Sequence, residues 1–244
     1  MNRSQNFVFS KLRTSWEAAT TSMKQVYQFC AYQPQDIYSI FRPSDDLAAG
    51  VKFNIGPVVF SLPERLGKSH QLYIAVEGWL SFEEADLRTE PLKTKAFGTK
   101  VSYFKARGVN LEHVFGAHYD LDEHMPGHPV FHAQLQSLPE MADHVKEHFR
   151  LDGEVTNQFK PQVRNIRIPC AQMDVFATLL QICADHLVVE GATDAAKAFV
   201  EVREKSNFFM GAAYRLPYLN QHIASNCYRS WHWYGGERLE RADA

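Results

Sequence analysis

Residues 71–82 read QLYIAVEGWLSF, and this stretch decides the fold. Leu72, Ile74, Val76, Leu80 and Phe82 alternate with Tyr73, Ala75, Glu77 and Trp79. Such a period of two places successive side chains on opposite faces of a strand and leaves one face apolar. The same reading extends to Val51 to Ser61, Lys95 to Ala106, Leu111 to Asp122 and His128 to Gln136. Consecutive strands without a helical pattern between them predict an antiparallel meander.

Helical spacing brackets this block. From Lys11 to Tyr32, the residues Leu12, Trp16, Ala19, Met23, Val26, Tyr27 and Cys30 recur every three or four positions, which predicts an amphipathic helix. Pro34, Pro43 and Ala48-Ala49-Gly50 then read as loop. Pro139-Glu140 opens a short helix carrying Met141, Val145 and Phe149, and a polar stretch from Asp152 to Gln162 leads to a last short strand, Arg164 to Pro169. Met173, Phe176, Leu180, Cys183 and Leu187 mark a helix from Ala171 to Val188. Another, capped by Thr193 or Asp194, carries Ala195, Phe199 and Val202. A final aromatic helix runs from Pro217 to about Trp233. The fold class is therefore α+β. The expected architecture is an antiparallel sheet of five or six strands, one face packed by the N-terminal and C-terminal helices and the other open around histidines. It forms one domain, with a helix and loop over 1–50, the sheet over 51–136 and a mainly helical part over 137–244.

With 45% hydrophobic and 22% charged residues, the composition excludes disordered, collagenous and coiled-coil classes. The 26 Lys and Arg against 28 Asp and Glu leave a net charge of -2, so only a local basic patch could draw the protein to nucleic acid. An uncharged apolar run of membrane-spanning length and a signal-peptide pattern are both missing. Cys30, Cys170, Cys183 and Cys227 are scattered without a CxxC pair. These features predict a cytoplasmic protein with reduced thiols and no membrane association. P-loop, GxGxxG and GxSxG motifs are absent from the sequence, which removes kinase, dinucleotide and serine-hydrolase readings.

Seven of the 11 histidines, His113, His118, His124, His128, His132, His144 and His148, fall between positions 113 and 148. If Glu123 to Gly127 form a hairpin loop, Asp122 faces His128, Asp120 faces Val130 and His118 faces His132. Alternation then puts His118, Asp120 and Asp122 on one face with His128, His132 and Gln134. Imidazoles and carboxylates at cross-strand distance suit a divalent transition metal such as Zn or Mn, able to activate water or polarise a phosphoryl oxygen. The alternative is a solvated sheet face without chemistry. His144-Val-Lys-Glu-His148 matches the HxxEH pattern of inverzincin metalloproteases, with Glu201 and Glu204 as acidic residues on a later helix. Arg164 and Arg167 are candidate phosphate contacts or ion-paired strand residues. Trp231-His-Trp-Tyr234 is a partner surface, a base-stacking platform or core.

The order of HxDxD, then HPxxH, then an Arg-Ile-Pro strand leading into an amphipathic helix resembles uncharacterised bacterial families of unknown function, over residues 113 to 188. Some of those families are suspected toxin or defence components, and the resemblance implies no established activity; Gln134 stands where a further His is common in them. The expected function is a small divalent-metal-dependent hydrolase, acting on phosphodiesters in the manner of a toxin or defence nuclease. His118, Asp122, His128 and His132 would be metal ligands, Asp120 a base or ligand-orienting residue, and Arg164 and Arg167 phosphate contacts. The alternative is a non-catalytic subunit that binds a protein partner through its C-terminal aromatics.

Overall fold

The structure is a computed structural model that describes residues 1–26, 30–31, 37–45, 50–63, 71–88, 92, 94–121, 131–160, 166–170, 173–187, 197, 199–201 and 203–204. Among these residues nine strands form one sheet: β1 (Cys30–Ala31), β2 (Phe41–Pro43), β3 (Val51–Pro63), β4 (Gln71–Phe82), β5 (Ala96–Arg107), β6 (Asn110–Leu121), β7 (Phe131–Leu135), β8 (Val155–Asn157) and β9 (Arg167–Pro169). The strand order is β1-β3-β4-β5-β6-β7-β9, with β2 also on β3 and β8 on β6. From β3 to β7 each strand pairs antiparallel with the next, as the uninterrupted period of two predicts. The α+β class holds. The short β8 lies parallel to β6 in a stretch that reads as polar linker, and β2 lies in one that reads as loop.

The helices are α1 (Arg3–Val26), α2 (Ile37–Ile40), α3 (Ala142–Phe149) and α4 (Val175–Ile182). α1 starts at Arg3 and not at Lys11, because Val8 continues the buried stripe of Leu12, Trp16 and Ala19 by one turn. α4 starts at Val175 and not at Ala171. The buried Asp174 side chain accepts the N–H groups of Phe176 and Ala177, both at 3.0 Å, and fixes the first turn. A π-helical turn, Cys183–Leu187, follows α4. Residues 197, 199–201 and 203–204 are helical, as the spacing around Phe199 predicts. The helix expected from Pro217, with its partner surface at Trp231 to Tyr234, lies outside the described residues. Among the described residues no helix is long and apolar enough to cross a membrane.

The two faces of the sheet differ. On the first, α1 and α4 bury Leu12, Trp16, Phe176 and Leu179 against Phe53, Phe60, Ile74 and Val101. Trp16 stands edge-on to Phe41 and Phe176, with ring centres 5.7 and 5.9 Å away. The second face was expected to be open, but α3 covers half of it. Met141, Ala142 and Val145 pack there with Val59, Tyr73, Ala75, Phe104 and Leu111 in a smaller apolar cluster. A bulge at the pairing of Tyr103 and Phe104 inserts one extra β6 residue, Val114. Leu111 and His113 therefore face α3, and beyond the bulge Gly116, His118 and Asp120 continue on the same face, past the helix.

Candidate functional site

Pairing across β4, β5, β6, β7 and β9 arranges the half of this face that no other described element covers in two rows. One row is Trp79, Gly98, Asp120, His132 and Pro169, and the other is Glu77, Lys100, His118, Gln134 and Arg167. The register corrects the sequence expectation. His132 lies opposite Asp120, and His118 lies opposite Gln134. The pairing is offset by two residues from the expected one. A shift of two preserves which side chains share a face. Phe131 and Ala133 accordingly pack with the first-face core, and His132 and Gln134 join His118 and Asp120.

Asp120 is the centre of the group. Its Oδ1 stands 2.6 Å from Nε2 of His132, a side chain only 2% exposed, and its Oδ2 stands 3.7 Å from Nε2 of His118, which is 27% exposed. The carboxylate thus links one sealed imidazole to one that solvent reaches. Burial holds the His118 pKa below the usual imidazole value; Asp120 opposes this shift, and His132 and Lys100 add to it. A neutral ring at neutral pH can take up a proton. Lys100 Nζ pairs with Glu77 Oε1 at 3.0 Å, and Glu77 Oε2 lies 3.9 Å from Nε2 of His144 on α3. Trp79 lies over Gly98: a Cβ there would meet its Nε1 at 2.5 Å, so only glycine lets the indole rest on the sheet. Lys52 Nζ stands 4.8 Å from the centre of the same ring. Cys170 offers no nucleophile here, since burial, with a smaller contribution from Asp120, pushes its thiol up to about 11.

Of the expected site residues, His118, Asp120 and His132 come together, and Arg167 stands on their face opposite Gln134. Asp122, His128 and Arg164 lie outside the described residues, as does His124. Among the described residues no group of three or more His, Cys, Asp or Glu side chains is arranged to hold a metal ion. His113 leaves the histidine cluster altogether. It is fully buried at the covered end of the face, with Nδ1 2.9 Å from Asn157 Oδ1 and Nε2 accepting the Leu138 N–H at 3.4 Å. Those partners require the neutral ring with its proton on Nδ1, and burial accordingly lowers its pKa. In the HxxEH segment, His144 reaches Glu77 and His148 stands edge-on to Phe149, while Glu147 is exposed. Glu201 and Glu204 are exposed as well. Lys100 and Glu77 escaped the sequence reading because alternating charges on strands look like an ordinary wet face; only pairing puts them beside His118.

No family model, curated protein or solved structure matches the chain.

Proposed function

We propose that the protein is a hydrolase of phosphodiesters, with His118, Asp120 and His132 as its reacting centre. The observation that carries this reading is the Asp120 carboxylate held between two imidazoles, 2.6 Å from His132 and 3.7 Å from His118. His132, sealed in the sheet, anchors the carboxylate; Asp120 orients His118 and stabilises the imidazolium that forms. With Nε2 facing Asp120, the other ring nitrogen of His118, Nδ1, takes a proton from a water whose oxygen bonds to phosphorus, and that proton passes to the leaving oxygen as its bond to phosphorus breaks. The 3.7 Å contact is the length expected of such a pair before substrate closes it. Lys100, directly opposite His118, supplies positive charge for the phosphoryl oxygens.

A second reading carries the metal expectation over from the sequence; it rests on residue type, since the described side chains form no metal-holding group by themselves. Two imidazoles and a carboxylate on adjacent strands are ligand types for Zn or Mn, and such an ion would lower the pKa of a bound water. Asp122 and His128 would complete that set. One experiment separates the readings: cleavage of bis(p-nitrophenyl) phosphate and of a mixed-sequence oligonucleotide, before and after dialysis against a chelator, then with added Zn or Mn. Activity that survives chelation supports acid–base hydrolysis. Activity lost to the chelator and restored by either ion supports the metal reading. Absence of cleavage in every condition overturns both.

A further inference from the structure

Lys100, His118, Gln134 and Arg167 form one line of polar side chains across β5, β6, β7 and β9. With neighbouring strands about 4.8 Å apart, the two cationic residues stand about 14 Å from each other, one on each side of the reacting centre. The line has a closed end and an open end. Beyond Lys100 comes Glu77, whose carboxylate is 3.0 Å from Lys100 Nζ and would repel any phosphate placed past it. Arg167, at the other end, is exposed on the short β9. The turn before α3 stands along one side, where Ser102 Oγ donates to the Leu138 carbonyl and fills the next row. α3 itself lies against β3 and β4, at the Glu77 end. A helix about 10 Å across at that end and the turn beside the row hold a duplex off the sheet floor, while a single backbone can descend to His118.

Resting on the phosphodiester reading, we propose that this row is the track of a single-stranded nucleic acid lying across the strands. Its scissile phosphate would sit at His118, with neighbouring phosphates on Lys100 and Arg167 and the Gln134 amide between. At a rise of about 3.4 Å per stacked nucleotide, 14 Å takes about four nucleotides. Contacts of this kind are to the backbone, so the track reads length and charge and not sequence.

The test uses the full chain and 5′-labelled single-stranded oligonucleotides of two, four and eight residues. Binding is read by fluorescence anisotropy and cleavage by chromatography of the same mixtures. Affinity is expected to rise about tenfold from two to four residues and little thereafter, since charged contacts add until the track is filled. Lys100→Gln and Arg167→Gln should each weaken binding of the tetranucleotide and each reduce the slope of log Kd against log salt by about 0.7. Arg13→Gln, which removes an exposed cation on α1, should do neither. Length-independent affinity, or track variants indistinguishable from Arg13→Gln, would overturn the track. Oligonucleotides bound with these signatures but left uncut would sink the hydrolase reading and leave the track standing; cleavage without the signatures would do the reverse.

Discussion

Two histidines at opposite ends of one sheet face are sealed almost equally, His113 at 0% and His132 at 2% exposure, yet they do different things. His113 meets an amide oxygen and a backbone N–H beneath α3, so its surroundings demand the neutral ring and offer a proton nowhere to go. His132 meets a carboxylate whose second oxygen looks toward His118 and solvent. Burial alone therefore does not mark a functional histidine. The mark is the charge of the partner and whether that partner leads outward.

The largest effect that could break this contrast is on turnover. Asp120→Asn should lower phosphodiester cleavage by about 10² to 10⁴-fold, the usual worth of a positioned acid–base group, while the folded state persists by circular dichroism. His113→Ala should do the opposite. It leaves the Leu138 N–H and the Asn157 amide without their partner and opens a cavity, a loss of about 2–4 kcal/mol in urea unfolding, with turnover per folded molecule unchanged. Equal loss of turnover in the two variants would erase the distinction.

Smaller effects sharpen it. A Cβ at Gly116 would meet the Gln136 carbonyl oxygen at 2.3 Å, so Gly116→Ala must push away the backbone that delivers Leu138 to His113. It should cost about 1–3 kcal/mol, measured as a lowered Tm. Gly98→Ala meets only the Trp79 side chain, which can swing, so about 1 kcal/mol or less is expected, with a shifted tryptophan emission as the independent sign. The pH dependence follows from direction. Burial lowers the pKa of His113, His118 and His148 below the unfolded value of about 6.5. Between the two values the unfolded chain binds more protons, so stability is full above about pH 6.5 and declines as pH falls toward the folded-state values. Urea midpoints should drop from pH 7.5 to pH 5.5, and His113→Leu should flatten that drop.

Much of the architecture was legible because period-two runs are long: β3 to β6 are each 12 or 13 residues, and their boundaries follow the alternation closely. The short elements were not. Val155–Asn157 owes its strand form to the edge of β6, and nothing in three polar-flanked residues announces that. α3 supplies the cover over half of the second face, which its polar sequence hid behind just Met141, Ala142 and Val145. The candidate site was legible in kind and missed in detail. Alternation put His118 and Asp120 on one face, and His132 joins them in any register offset by an even number of residues, but the pairing itself is something periodicity does not fix. Asp174 was readable in principle, as an acidic residue directly before an apolar run.

The central claim is that Asp120 and His118 act as one unit, and a double-mutant cycle on phosphodiester cleavage tests it most directly. If the carboxylate works through the imidazole, the Asp120→Asn, His118→Ala double variant should be no slower than the slower single variant by more than about threefold. Losses that multiply would mean that the two side chains contribute separately, and the reacting centre described for this sheet face would be wrong.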